Sequence, residues 1–176
     1  MARNLEIKCR LDNFKIVRKR ILEIKRFAFL NEIQVDVYYK IKKGRLKLRI
    51  INSERGSLIF YERKEKTSKR ISNYLISETE SFKELDAILR RQFEVLGIVH
   101  KKRDIYLENN IRIHLDSVKG LGKFLEIEVV YESLIKAKKQ MEQLIVALGL
   151  DEKDFIKASY SDLLINKNNV STKTGF

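Results

Sequence analysis

The sequence predicts an α+β fold in which eight antiparallel strands close into a barrel with a polar interior and helices packed outside. The first observation is that several segments alternate polar and apolar residues with the period of two that is typical of strands. In residues 4–11 the polar set is Asn4, Glu6, Lys8 and Arg10, and the apolar set is Leu5, Ile7, Cys9 and Leu11. The same alternation occurs in residues 33–38, 44–50 and 112–130. In any single strand, this pattern fits equally well a sheet that exposes one face to water.

The second observation is that the helical segments carry apolar stripes, which need an apolar surface to pack against. The stripes are Phe14, Val17, Ile21 and Ile24; Phe82, Leu85, Ile88 and Leu89; and Leu134, Met141, Leu144, Ile145 and Leu148. The apolar strand faces supply that surface if they point outward. The charged strand faces then point inward, and eight strands closed into a barrel enclose enough space for a small ligand.

The third observation is that the inward charges are sorted by strand. Acids cluster in the first and last strands, as Glu6, Glu126 and Glu128, whereas bases cluster in a middle strand that contains Lys47 and Arg49. Buried charges without partners are very costly. The interior is therefore expected to be wet, with cations near the acids and an anion near the bases.

The elements are predicted in the following order. Strand 4–11 and helix 12–26 are followed by strands 30–40, 45–51, 57–64 and 73–80, helix 81–95, strands 98–107, 110–118 and 123–132, and helices 132–148 and 151–165. Residues 119–123, with the sequence KGLGK, are expected to form a glycine turn between two strands because no helix follows them.

Composition limits the classes of function. The chain has 176 residues and a formal net charge of +13, so polyanions are its natural partners. Its single cysteine, Cys9, excludes an internal disulfide and a zinc site built on paired thiols. The sequence has no apolar run of about 18 residues. We therefore expect a cytoplasmic protein that does not enter membranes.

Three motifs resemble one known family. NLEIK at residues 4–8 resembles the ExExK signature of the CYTH, or triphosphate tunnel metalloenzyme, superfamily. HLDSVKGLGKFLEIE at residues 114–128 resembles the late motif of its class IV adenylate cyclase branch, and SYSDLL at 159–164 is similar to the closing segment of that branch. The resemblance predicts a tunnel domain at residues 1–166 and a flexible C-terminal tail at 167–176.

The resemblance also implies a triphosphate held between basic side chains and a divalent cation, Mg²⁺ or Mn²⁺, held by acidic ones. By position, the implied metal ligands are Glu6, Glu126, Glu128 and Asp116. The implied phosphate-binding residues are Lys8, Lys47, Arg49, Lys101, Arg103 and Arg112. Of these two sets, Lys8, Lys101, Arg103 and Asp116 are the implied catalytic residues.

Some positions depart from the family pattern or leave alternatives open. Asn4 stands where the ExExK motif has its first Glu, which leaves the number of metal ions open. In the fourth strand the inward residue is Glu62, Arg63 or Lys64, and the orientation of Glu78 in the fifth strand is also open. His114 is interpreted as a hydrogen-bonding neighbour of the charges rather than as a general base.

Three functions follow from this set of residues. The leading prediction is metal-dependent hydrolysis of inorganic triphosphate or a nucleoside triphosphate, because it needs only a tunnel with cation and anion sites. The alternative is cyclisation of ATP to cyclic AMP and pyrophosphate, which also needs an adenine pocket that no residue pattern reveals. Noncatalytic binding of polyphosphate or RNA is least favoured, because clustered acids repel a polyanion. The expected partner is a small triphosphate rather than nucleic acid, and a homodimer stays open.

Overall fold

Eight antiparallel strands form the closed barrel that the alternation predicts. The computed structural model describes the backbone of residues 2–24, 27–63 and 69–173. The elements are β1 (Ala2–Leu11), α1 (Lys15–Ile24), β2 (Ala28–Tyr39), β3 (Arg45–Ile51), β4 (Arg55–Arg63), β5 (Arg70–Thr79), α2 (Phe82–Gln92), β6 (Val95–Glu108), β7 (Ile111–Val118), β8 (Gly122–Val130), α3 (Leu134–Leu148) and α4 (Tyr160–Lys173). Around the barrel the strands follow the order β1-β5-β4-β3-β2-β6-β7-β8.

The barrel has the predicted inverted polarity, with apolar side chains outside and charges inside. The helices α1 and α3 cover the outer faces of β1, β7 and β8. The core under them includes Leu5, Ile7, Val17, Ile21, Ile113, Leu115, Leu125, Ile127, Met141 and Leu148. Burying each aliphatic side chain of this kind contributes about 1.5–3 kcal/mol to the stability of the fold. Charged residues such as Lys8, Asp36 and Arg103 are buried on the opposite face.

The helix α2 covers a second part of the barrel, over β2, β3 and β4. Phe82 and Leu89 of this helix pack on Val37 and Leu48. A Cβ atom at Gly56 of β4 would lie 2.5 Å from the Cβ atom of Phe82. Glycine therefore allows the start of α2 to approach the strand closely.

The prediction of a helix at residues 151–165 is wrong for the first half of that range. A short 3₁₀ helix covers Glu152–Asp154, and Phe155 then forms a β-bridge with Cys9. The Ile156 amide donates to the carbonyl of Lys8 at 2.7 Å. Because β5 pairs with β1 only as far as Glu6, the next backbone groups of β1 are open to this segment. Pairing with that edge takes the place of the first half of the predicted helix.

One end of the barrel is closed by the start of α4. Tyr160 packs there with four inward side chains, which are Tyr38, Val99, Val118 and Phe124. In the part of the chain that the structure describes, the barrel is therefore a cup with one open mouth. Helix α4 continues to Lys173, and residues 174–176 of the predicted tail lie outside the described residues, so the division at residue 166 stays a prediction.

Two further expectations concern membrane-spanning helices and the single cysteine. None of the described helices is long and apolar enough to cross a membrane. Cys9 is buried and free, and burial raises the pKa of its thiol to about 12. The thiol therefore stays protonated, as expected of an inert core cysteine.

Candidate active site

The cup contains a cavity of about 420 Å³ that all eight strands line. Ser159 and Tyr160 complete it at the closed end. Its volume lies within the usual range for small-molecule sites. Among the described residues, the Lys and Arg side chains that line it are the six predicted as phosphate-binding residues, namely Lys8, Lys47, Arg49, Lys101, Arg103 and Arg112. Their location matches the prediction, and their binding role stays a prediction.

Three of these bases share one carboxylate, and we call this group the basic wall (Asp36, Lys47, Arg49 and Lys101). Asp36 accepts from Lys101 Nζ at 2.6 Å, from Arg49 Nε at 2.7 Å and from Lys47 Nζ at 3.1 Å. Burial alone would raise the pKa of Asp36, but Arg49, Lys101 and Lys47 hold that pKa well below its usual range. Three cations and one anion leave a surplus of positive charge facing the cavity.

Burial disfavours the charged form of both lysines in the basic wall. Burial lowers the pKa of Lys101 well below its usual value, and Asp36 offsets this only in part. Burial and then the neighbouring Arg49 lower the pKa of Lys47 to about 8. A bound anion would favour the charged forms of both lysines.

The sequence motifs assign no role to Asp36, although the alternation places it on the inward face of β2. Its inward position could be read from the sequence. Its partners could not, because they depend on the registers of β2 with β3 and β6, where Asp36 lies opposite Arg49 and Gln34 lies opposite Lys101.

Arg103 follows Lys101 on the inward face of β6 and contacts the acids of β7 and β8. Its guanidinium donates to both oxygens of Asp116 at 2.6 Å and to Glu126 at 2.8 Å. Asp116 also accepts from the Tyr160 hydroxyl at 2.7 Å and does not line the cavity. Asp116, predicted as a metal ligand, is therefore placed to hold Arg103.

A second group, which we call the acidic wall, consists of His114, Glu126 and Glu128. One potential ligand atom from each residue lies within 4.8 Å of the others. The β7–β8 hairpin creates this group, because the turn at Gly120, with φ of +77°, sets His114 opposite Glu126. Two of the predicted ligands thus meet a histidine that was predicted only as their neighbour.

The acidic wall suits a divalent cation. His114 Nδ1 is buried, makes no hydrogen bond in the described part of the chain, and lies 3.9 Å from an oxygen of Glu126 and of Glu128. Burial, and then Arg103, lower the pKa of His114, which favours the neutral imidazole that binds metals. One nitrogen and two carboxylates form a donor set that fits Mn²⁺ and, less closely, Mg²⁺.

Glu6 and Asn4, from the first motif, lie beside this wall on β1. Glu6 lines the cavity but pairs with Arg70 at 3.1 Å, and it does not belong to the group of three potential ligands. Asn4 is buried, and its Oδ1 atom has no hydrogen-bond partner among the described residues. No acid of this strand therefore joins the described metal group.

The open orientations in β4 and β5 are settled in part. Glu78 lines the cavity and accepts a hydrogen bond from Ser57 at 2.7 Å. Glu62 pairs instead with Lys43, at 3.2 Å, and does not line the cavity. The Arg63 side chain and all of Lys64 lie outside the described residues.

The mouth of the cup has a different character from its base. Six aliphatic side chains line the cavity there, namely Leu30, Ile51, Ile59, Ile76, Ile105 and Leu107. Leu30 and Ile76 are about half exposed, at 49% and 47%. This apolar mouth was missed in the sequence because its members lie on five separate strands.

Comparison with known proteins agrees with this architecture. A protein of Methanocaldococcus jannaschii named "Putative adenylate cyclase" is 24% identical over 170 residues, covering 90% of this chain and 97% of that protein. A solved structure from Pyrococcus horikoshii OT3 has 29% identity and a TM-score of 0.83, covering 91% of this chain and 98% of that one. A Hippeastrum protein, described as a "putative adenylyl cyclase" with a dominant triphosphatase activity, shares the fold at 14% identity and a TM-score of 0.65, covering 96% of each chain.

The family model of the CYTH domain matches residues 2–160. The match begins in β1, which carries the first motif, and ends at Tyr160, which closes the cavity. It thus spans every strand of the barrel, and this chain belongs to the CYTH domain family.

Proposed function

We propose that this chain hydrolyses a triphosphate inside the cup with the help of a divalent cation. The observation that carries the proposal is the arrangement of charge in one closed-ended cavity. The basic wall has a surplus of cations, and the acidic wall beside it has a set of donors suited to a metal. A triphosphate–metal complex carries the charges that complement both walls.

The basic wall would hold the phosphate oxygens. Arg49 offers a planar fork that suits forked contacts with phosphate, whereas Lys47 and Lys101 act as point charges. All three are already oriented by Asp36, so little side-chain freedom is lost on binding. Arg112, with a side chain that is 40% exposed near the mouth, would contact the substrate as it enters.

The acidic wall would hold the cation through His114, Glu126 and Glu128. When bound, a divalent cation offsets the charge that builds on phosphate oxygens and lowers the pKa of a coordinated water. Arg103 and Lys8 each contact Glu126, at 2.8 and 3.1 Å, and both line the cavity. These two cations would therefore contact the phosphates next to the metal. Asp116 supports Arg103 in this arrangement, and Glu6 stays paired with Arg70.

Cyclisation of a nucleoside triphosphate is the second candidate, and the apolar mouth favours it. An inorganic triphosphate has no apolar part to contact Leu30, Ile76 or Ile105, whereas a nucleoside does. The mouth therefore supports an organic triphosphate as substrate. Hydrolysis remains the first candidate because it needs no group that orients a ribose hydroxyl, and the fold relative from Hippeastrum is described as a triphosphatase.

Noncatalytic binding of RNA has less support. The closed end at Tyr160 prevents a continuous strand from passing through the barrel, so only a chain terminus would enter. The acidic wall would also repel such a terminus unless a cation were present.

One incubation separates these functions. Purified protein is mixed with tripolyphosphate or with ATP, in Mg²⁺ or Mn²⁺, and the products are separated by anion exchange. We expect inorganic phosphate and the shortened polyphosphate or nucleotide, and no turnover in EDTA. Cyclic AMP with pyrophosphate would establish the cyclase instead. Tight binding without any product would leave only the binding function, and full activity in EDTA would contradict the metal-dependent proposal.

A further inference from the structure

The segment that closes the cup, residues 155–162, is tied to three strands. Beyond its backbone pairing with β1, Arg70 of β5 donates to the carbonyl of Lys157 at 2.6 Å. Arg45 of β3 donates to both oxygens of Asp162, at 2.9 and 3.0 Å. Ser159 and Asp162 cap the start of α4 reciprocally, each backbone amide donating to the other side chain. This end of the cavity is therefore a fixed part of the barrel.

Tyr160 is the residue of this segment that contacts the charged site at two points. Its hydroxyl donates to Asp116 at 2.7 Å, and the Lys8 ammonium lies 3.4 Å from the centre of its ring. Burial, and then Asp116, raise the pKa of Tyr160 well above its usual value, so the hydroxyl remains a donor. One side chain thus contacts two separate members of the predicted catalytic set.

These contacts close a ring of interactions around the base of the cavity. The Tyr160 hydroxyl holds Asp116, which holds Arg103; Arg103 contacts Glu126, Glu126 pairs with Lys8, and Lys8 lies over the Tyr160 ring. All members except Asp116 line the cavity. A change at Tyr160 would therefore act on both Lys8 and Arg103.

Packing alone does not account for both ends of this side chain. The ring stacks at a tilt on Phe124, with centroids 5.0 Å apart, and a phenylalanine would make the same contact. The buried hydroxyl adds only its bond to Asp116, and a cation over an aromatic face is strongest where water is excluded. Tyr160 is 3% exposed, so both interactions are shielded from solvent.

We infer that Tyr160 is a positioning residue that holds Lys8 and Arg103 in the orientation that contacts phosphate, which makes the closing segment a working part of the site. This inference rests on the proposed triphosphate activity. The hydroxyl orients Arg103 through Asp116, and the ring holds Lys8 at the position where it pairs with Glu126 and lines the cavity.

Two substitutions separate the hydroxyl from the ring. Tyr160→Phe keeps the ring and frees Asp116, so we expect kcat to fall about tenfold, as for loss of one hydrogen bond to a charged group, with KM nearly unchanged. Tyr160→Leu also removes the surface beneath Lys8, so we expect KM to rise in addition. Tripolyphosphate binding in EDTA, measured by calorimetry, should weaken in Tyr160→Leu only.

Tyr39 offers a matched control. Its hydroxyl also donates to a carboxylate, that of Asp86, but it lies in the outer core under α2. Tyr39→Phe should lower Tm about as much as Tyr160→Phe does and leave kcat and KM at the wild-type values. The comparison separates a loss of stability from a loss of positioning.

The outcomes distinguish the positioning role of Tyr160 from the proposed triphosphate activity on which it rests. An active wild-type protein whose Tyr160→Phe variant keeps its kcat and KM, whatever happens to Tm, would overturn the positioning role and leave the activity standing. Equal kinetic losses in the Tyr39 and Tyr160 phenylalanine variants would overturn it as well. A wild-type protein that neither turns over nor binds tripolyphosphate would overturn both.

Discussion

The basic wall and the acidic wall are neighbours around the barrel, but their charges are satisfied differently. In the basic wall every cation has a direct contact with Asp36, at 2.6 to 3.1 Å. In the acidic wall, Glu126 has Lys8 and Arg103 as close partners, whereas Glu128 reaches Arg112 only at 3.7 Å and His114 at 3.9 Å. The first wall is held together by the protein, and the second leaves donors for a ligand.

This difference implies that substitutions in the two walls have different effects. Removing the shared carboxylate of the basic wall leaves buried cations without compensation, which affects folding. Removing His114 or Glu128 from the acidic wall should leave the fold intact, because the ion pairs of these two residues are no shorter than 3.7 Å. Changes to the basic wall should therefore appear first in stability, and changes to the acidic wall first in turnover.

The largest effect is expected for Asp36→Asn. Breaking a buried ion pair by removing one partner costs about 3–5 kcal/mol of unfolding free energy, and here three cations lose the same partner. Tripolyphosphate should restore part of the loss, because its oxygens replace the carboxylate. Chemical denaturation with and without the anion measures both effects.

Asp104→Asn is the control for that variant. Asp104 pairs with Arg18 and accepts a bond from Asn31 on the outer side of β6. The Asp104→Asn variant should lose little stability, and tripolyphosphate should stabilise this variant only as much as it stabilises the wild-type protein. A fully stable Asp36→Asn variant would show that the basic wall does not depend on its shared carboxylate.

The acidic wall is tested by Glu128→Gln. We expect turnover to fall by more than about 100-fold, since a metal ion supplies several kcal/mol of charge stabilisation, while Tm stays near the wild-type value. Metal titration should show weaker binding in the same sample. Glu62→Gln, outside the cavity, should match the wild type, and an unchanged metal affinity in Glu128→Gln would remove Glu128 from the ligand set.

The sequence predicts the barrel and the inventory of its charges, but not their pairing. The period of two places Asp36, Glu126 and His114 on the inward face, because strand parity is a local property. The pairing of Glu6 with Arg70 instead depends on closure of the barrel between β1 and β5, and these two residues lie more than 60 positions apart in the sequence. The resemblance implies Glu6 as a metal ligand, and the sequence does not reveal the arginine that it pairs with.

The C-terminal segment shows the same limit. The sequence predicts a helix at residues 151–165, yet Phe155 and Ile156 pair with the open edge of β1. An unpaired strand edge is visible only in the folded barrel. Tyr160 could be located from the SYSDLL motif, but its two contacts depend on where that segment crosses the barrel.

Arg49→Lys tests whether the geometry of the guanidinium, and not its charge alone, holds the phosphates in the basic wall. Lysine keeps the charge but loses the forked geometry, so we expect KM for the triphosphate to rise about tenfold, which corresponds to one charge-assisted hydrogen bond. Half-saturation by the metal should not change, because Arg49 has no contact with the acidic wall. A shift in metal dependence equal to the shift in KM would show that the two walls do not act separately.

The smallest effect is a pH dependence that arises from Lys47, whose pKa of about 8 lies below the usual lysine value because of burial and the nearby Arg49. A phosphate next to Lys47 favours its charged form and raises that pKa, so binding takes up a proton once the free lysine is neutral, and affinity falls as pH rises. Between pH 7.5 and 8.5 the charged fraction falls about threefold for a pKa near 8, and the dissociation constant should rise by about the same factor. Calorimetry with tripolyphosphate in EDTA measures this without turnover, and Lys47→Arg is the control because arginine stays charged throughout. Lys8 and Lys101 are present in both proteins, so the difference between the two profiles isolates Lys47. Identical profiles for the wild type and Lys47→Arg would show that Lys47 stays charged in the free protein, or lies away from the bound phosphate.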